Sequence, residues 1–209
     1  MHKNISWFKI CLLVCLFAVS VKAQTTDDAV TAKNPQGEAA EAAKQLTDRD
    51  PAVRQRGAEE LARLAATDWL HLIEGYRLQE KNARVRVALD WALYRMGKDE
   101  SLYAVVRALD SSRDGQAAGY LAQLETPQPL YPVLPRVNGN TQIKLLKILA
   151  RIGDTATLEQ IKPYADSFDP LIAKAAQEAE QEITARLANQ PADAATRPRQ
   201  VGNKKPPTP

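Results

Sequence analysis

His71 has Asp68 three residues before it and Glu74 three after. On a helix that spacing sets an imidazole between two carboxylates, the grouping that acid–base or metal chemistry would need. A zinc site wants three or four good ligands, yet the other histidine is His2 and the two cysteines are Cys11 and Cys15, all near the amino terminus. Ser101, Ser111, Ser112 and Ser167 lack the glycine-framed elbow that presents a nucleophile. No glycine-rich phosphate loop is present either. These residues predict no enzyme, no cofactor and no metal site, which leaves side chains suited to holding a partner.

Such side chains fall into columns once a repeated phrase is aligned. Leu61-Ala62-Arg63-Leu64-Ala65 returns as Leu93-Tyr94-Arg95-Met96-Gly97, as Leu121-Ala122-Gln123-Leu124-Glu125 and as Leu149-Ala150-Arg151-Ile152-Gly153. Each phrase precedes a second apolar stripe, opened by Leu70, Leu102, Leu130 and Leu158. One position after those leucines stand His71, Tyr103, Tyr131 and Glu159. His71, Tyr103 and Tyr131 are the expected partner-binding ridge, because tyrosine offers a large amphipathic contact at low entropic cost. Arg63, Arg95 and Arg151, with Gln123 between them, form a second column near the ends of first helices. Cations there gain from the helix dipole, and Glu59 lies one turn before Arg63. An anionic partner laid across the arginines is the functional reading of the same column.

The elements that position these columns follow from the period. The leading leucines step by 32, 28 and 28 residues, and two amphipathic stripes per period describe helical hairpins that bury their apolar faces only against neighbours. The predicted fold is all-α, a right-handed α-solenoid of about four hairpins with a capping helix at each end. A first helix is expected from Glu38 to Leu46 and a last one from Asp169 to Leu187. Asp50-Pro51 and Asp169-Pro170 are helix starts, an acceptor for free N–H groups followed by a residue that lacks one. Gly97 ends a helix where a left-handed backbone is needed. In the third hairpin Pro127, Pro129, Pro132 and Pro135 predict a short, kinked or irregular second helix, and with it a possible groove of freed backbone groups.

These residues carry a resemblance. Asp50-Pro51-Ala52-Val53-Arg54, followed by Leu61, Leu64 and Ala65, is similar to the short HEAT-like repeat, and Arg151-Ile152-Gly153-Asp154 resembles its closing element. Val85-Arg86 keeps the Val-Arg pair, whereas Arg113-Asp114 and Thr141-Gln142 replace it later. The resemblance implies antiparallel helix pairs serving as an interaction scaffold, with second helices lining a concave side. Members of the phycobilisome-lyase type imply an alternative, an enzyme or accessory subunit binding a chromophore or small ligand.

The ends read differently from the middle. Residues 1–23 hold Lys3, Lys9 and Lys22 without an acid, an apolar run from Ile10 to Val21, and Val21-Lys22-Ala23 before Gln24. This is the pattern of a signal peptide cut near Ala23, predicting export to a periplasmic or extracellular space and a mature chain with no membrane span. Residues 24–37 read as a flexible lead, 38–187 as the repeat domain, and 188–209 as a disordered proline-rich tail. From Gln190 the tail carries Arg197, Arg199, Lys204 and Lys205 against Asp193, which suggests an envelope-polymer tether as a third function. Without both ends the body holds 21 basic and 24 acidic residues, a balance that argues against nucleic acid as partner. The favoured expectation is an exported, non-enzymatic scaffold that binds another protein on its concave face.

Overall fold

The computed structural model describes residues 34–189. The leader, most of the lead and the tail lie outside the described residues, as do both cysteines. Within the described residues the chain is all-helical, with no strand. The helices are α1 (Pro35–Gln45), α2 (Pro51–Arg63), α3 (Leu70–Gln79), α4 (Ala83–Arg95), α5 (Ser101–Arg107), α6 (Asp114–Leu121), α7 (Gly139–Ile152), α8 (Thr155–Ala165) and α9 (Pro170–Ala188).

Packing follows the repeat. The first helices of successive hairpins stack in the order α2, α4, α6, α7 and α9, with α1 against α2, while α3, α5 and α8 pack beside α4, α4 and α9. The four leading leucines, Leu61, Leu93, Leu121 and Leu149, are all buried. Truncating any one to alanine removes transfer energy and leaves a cavity, about 2–5 kcal/mol for a leucine.

Polar side chains set the register along one rim. Arg54 at the start of α2 holds Glu80, just before α4, through two bonds of 2.8 and 3.0 Å. Gln116 of α6 donates to the carbonyl of Arg84 in α4 at 3.0 Å. Lys144 of α7 reaches Asp114 of α6 at 2.8 Å and the carbonyl of Leu109 at 2.9 Å. These bonds join the amino-terminal ends of α2, α4, α6 and α7, so the first helices run parallel. At the opposite rim Arg186 of α9 donates to the carbonyl of Ala150 in α7 at 3.2 Å. In contrast α1 runs antiparallel to α2, since Glu38 in its first turn meets Arg63 at the end of α2.

Helix starts obey the punctuation of the sequence. The Asp50 carboxylate accepts from the Ala52 N–H at 2.8 Å, and Asp169 from Leu171 at 2.9 Å. Asn34-Pro35 is a third instance: the Asn34 side chain accepts from Gln36 at 3.1 Å, so α1 begins at Pro35, within the stretch read as lead. Asp154, the last residue of the HEAT-like closing element, forms a capping box with Thr157 at the start of α8.

The equivalent glycines and alanine at the hairpin corners solve different problems. Gly97 has φ +98° and Ala65, its counterpart one repeat earlier, φ +45°. Gly153 is extended, at φ −65°; its lack of a side chain is needed for space, because a Cβ there would lie 2.5 Å from the Leu149 carbonyl oxygen and 2.8 Å from Ile183.

The third hairpin has no second α-helix. Its prolines leave two single 3₁₀ turns, Gln128–Leu130 and Leu134–Arg136, that still bury Leu130, Val133 and Leu134. The expected groove of freed backbone groups is filled at Leu134, whose carbonyl accepts from the buried Gln142 side chain at 3.1 Å.

Candidate partner-binding surface

A recess of about 1100 Å³ lies on the side of the first helices. It is bounded by α1, α2, α4 and α6, with Glu125 beyond the end of α6. The second helices, expected to line the concave side, contribute nothing to it. Helical periodicity explains the placement: Glu59 and Arg63 are one turn apart on α2, as are Trp91 and Arg95 on α4, so each pair points the same way.

The floor is aromatic. The rings of Trp91 and Tyr120 stack with centroids 5.6 Å apart and planes 4° from parallel, and both residues are buried. The Arg95 guanidinium sits 5.9 Å over the Trp91 ring, a cation–π contact. Below the rim, the Glu59 carboxylate accepts from the Tyr120 hydroxyl and from Gln55, each at 2.6 Å. Burial, then the Glu59 bond, pushes the Tyr120 hydroxyl well above its ordinary range, so it stays a proton donor. Gln116 donates to the same hydroxyl at 2.8 Å, while its own carbonyl oxygen is buried without a partner. Gln116 also lines a second recess of about 570 Å³ that shares Glu59, Tyr120 and Gln123 with the first.

The rim is charged, and acids prevail. Glu38, Glu41, Glu59, Glu60 and Glu125 line the recess together with Arg56, Arg63 and Arg95. Arg63 lies between Glu60 at 2.6 Å and Glu38 at 2.9 Å, and those carboxylates raise its already high pKa. Glu59 pairs with Tyr120 and Gln55 rather than with Arg63, contrary to the one-turn spacing. Arg56 and Arg95 form no ion pair with a carboxylate among the described residues.

The three arginines of the expected anionic-partner column stand in different surroundings. Arg63 lies between Glu38 and Glu60, Arg95 sits over the Trp91 ring, and exposed Arg151 is not part of the recess. A run of aligned arginines says nothing of the carboxylates that other helices bring to them.

The ridge is divided too. His71 and Tyr103 are exposed on α3 and α5. The His71 ring meets Glu74 at 3.1 Å, and Lys98 pairs with the same carboxylate. Those two hydrogen bonds, Lys98 first, hold Glu74 below the usual carboxylate range. Tyr131 is half-buried, its hydroxyl 2.7 Å from the Thr157 hydroxyl and 3.1 Å from Asp154. That tyrosine ties the third hairpin to the cap of α8, and burial moves its pKa upward. Among the described residues no group of three or more His, Cys, Asp or Glu is disposed to hold a metal ion.

No family model matches this chain, and no curated protein does. Among solved structures, the crystal structure of an engineered protein is similar, with 21% identity over 72% of this chain and 80% of that one. Its TM-score is 0.34. That likeness carries no argument about fold or function. No helix among the described residues is long and apolar enough to cross a membrane.

Trp91 and Tyr120 were not among the residues singled out by sequence, and Glu59 was named only as a neighbour of Arg63. The signal lay one turn before the arginine column, where Glu59 precedes Arg63 and Trp91 precedes Arg95. Tyr120 carries no such signal, since its place depends on how α6 meets α4.

Proposed function

We propose that the chain is a non-enzymatic scaffold that holds another protein in the recess on its first-helix side. One observation supports this reading above others. The recess is shared by four helices and combines a stacked aromatic floor with a charged rim, the composition of a protein-docking centre. A volume of about 1100 Å³ exceeds what most small ligands fill.

The test is affinity capture with the full chain, comparing wild type with Arg56→Glu combined with Arg95→Ala. Loss of a central contact worth about 2 kcal/mol lowers capture roughly 30-fold. Capture that survives this change but is lost with His71→Ala and Tyr103→Ala would move docking to the second helices. Capture indifferent to both would remove the scaffold reading.

The proposal also takes the scaffold to be exported, on the pattern of residues 1–23. Sequencing the amino terminus of protein recovered from its native source should then begin at Gln24, and an intact Met1 would reject export.

A further inference from the structure

We propose that residues 190–209 of this chain dock along the acidic recess of the same molecule. Two observations carry this. The recess holds five carboxylates against three guanidiniums, with Arg63 already enclosed by Glu38 and Glu60. Residues 190–209 carry Arg197, Arg199, Lys204 and Lys205 against Asp193 alone, the opposite sign.

The exit and the reach agree. Arg186 bonds the carbonyl of Ala150, which places the end of α9 beside the end of α7. The ends of α2, α4 and α6 bear Arg63, Arg95 and Gln123 on the recess wall, and parallel stacking puts all these ends on one rim. From α9 through α7, α6 and α4 to α2 is about 40 Å at roughly 10 Å per helix. Twenty residues extended at about 3.3 Å each span ~65 Å. A tethered segment meets its site at an effective concentration of order 1 mM, so a weak intrinsic affinity is enough to occupy it. The docking stands whether or not a protein partner uses the same recess; where one does, the tail competes with it.

Limited trypsin digestion of the full chain tests this, following cleavage after Arg199 by mass spectrometry against a synthetic peptide of residues 190–209, because Pro198 blocks the bond after Arg197. Docking at a Kd of about a quarter of the effective concentration slows cleavage about fivefold relative to the peptide at low salt. The protection should vanish near 0.5 M salt, where the Debye length falls to about 4 Å. It should also vanish in Glu41→Lys with Glu125→Lys, two exposed rim positions. Lys204→Glu with Lys205→Glu, which leaves the helical body untouched, should abolish it equally. Equal cleavage of chain and peptide at low salt would overturn the proposal, as would protection indifferent to the rim and tail substitutions. Protection that grows with protein concentration would place the tail on a second copy and overturn it as well.

Discussion

Ala65 holds φ +45° where the next repeat has Gly97 at +98°. A left-handed backbone costs an L-residue roughly 1–2 kcal/mol, and glycine's extra unfolded-state entropy costs about 0.5–1 kcal/mol. Ala65→Gly should therefore stabilise the protein by about 0.5–1 kcal/mol, seen as a higher denaturant midpoint at unchanged slope; a lower midpoint would sink the account. Asp90 poses the opposite case. It is buried in α4 and paired with Arg77 of α3, and burial raises its pKa despite that partner. A carboxylate whose folded pKa is raised destabilises the ionised form, so its penalty is full above the folded pKa and fades as the pH falls toward the unfolded value. Arg77→Met removes the ion-pair partner of a buried charge and should cost on the order of 3 kcal/mol near neutral pH. The loss should shrink between neutral and acidic pH as Asp90 takes up a proton. Urea midpoints at the two pH values check this, and an equal loss at both would refute it.

At the scale of elements, the third hairpin shows what pattern can and cannot reveal. Its prolines announced a broken second helix, and Leu130 and Leu134 are buried as their apolar character demands. How the freed carbonyls are satisfied was not legible, because the answer is Gln142, a polar residue in the stripe of the next helix. Gln142→Ala leaves the Leu134 carbonyl without this donor in a buried setting, so a loss of about 1–3 kcal/mol is expected. Tyr131→Phe, which keeps the ring but drops two hydroxyl contacts, should cost about 1 kcal/mol. If Tyr131→Phe instead abolished partner capture while leaving the unfolding midpoint unchanged, the tyrosine would be a contact residue after all. Caps were legible wherever Asx-Pro occurs, and Asn34-Pro35 carried the same signal as Asp50-Pro51. The candidate site was legible only in part: Arg63 and Arg95 came from the alignment. The carboxylates around them come from α1 and from neighbouring turns that a repeat alignment does not compare.

Across the described molecule, repetition in sequence does not produce uniform coupling. The periodicity of leucines made the stack readable, since each hairpin lacks a core of its own. The strength of each junction was not readable, because it depends on helix length and facing area. α2 lies along α4 over thirteen-residue helices, and α7 along the nineteen-residue α9, which itself packs on α8. Between these blocks stand α6, with eight residues, and two 3₁₀ turns in place of a helix. In a stack held by neighbour contacts, opening separates at the junction with least shared surface. Native-state hydrogen exchange should therefore resolve two cooperative units, one spanning α2 to α4 and one spanning α7 to α9, with α6 and the proline segment exchanging at lower free energy than either. Lengthening the weak junction offers a direct check. Pro132→Ala with Pro135→Ala restores backbone donors where the repeat expects a second helix, and it should bring the two units closer in opening free energy. A single opening free energy shared by all slow amides of the wild-type chain, from α2 to α9, would show that the junction at α6 is no weaker than the others.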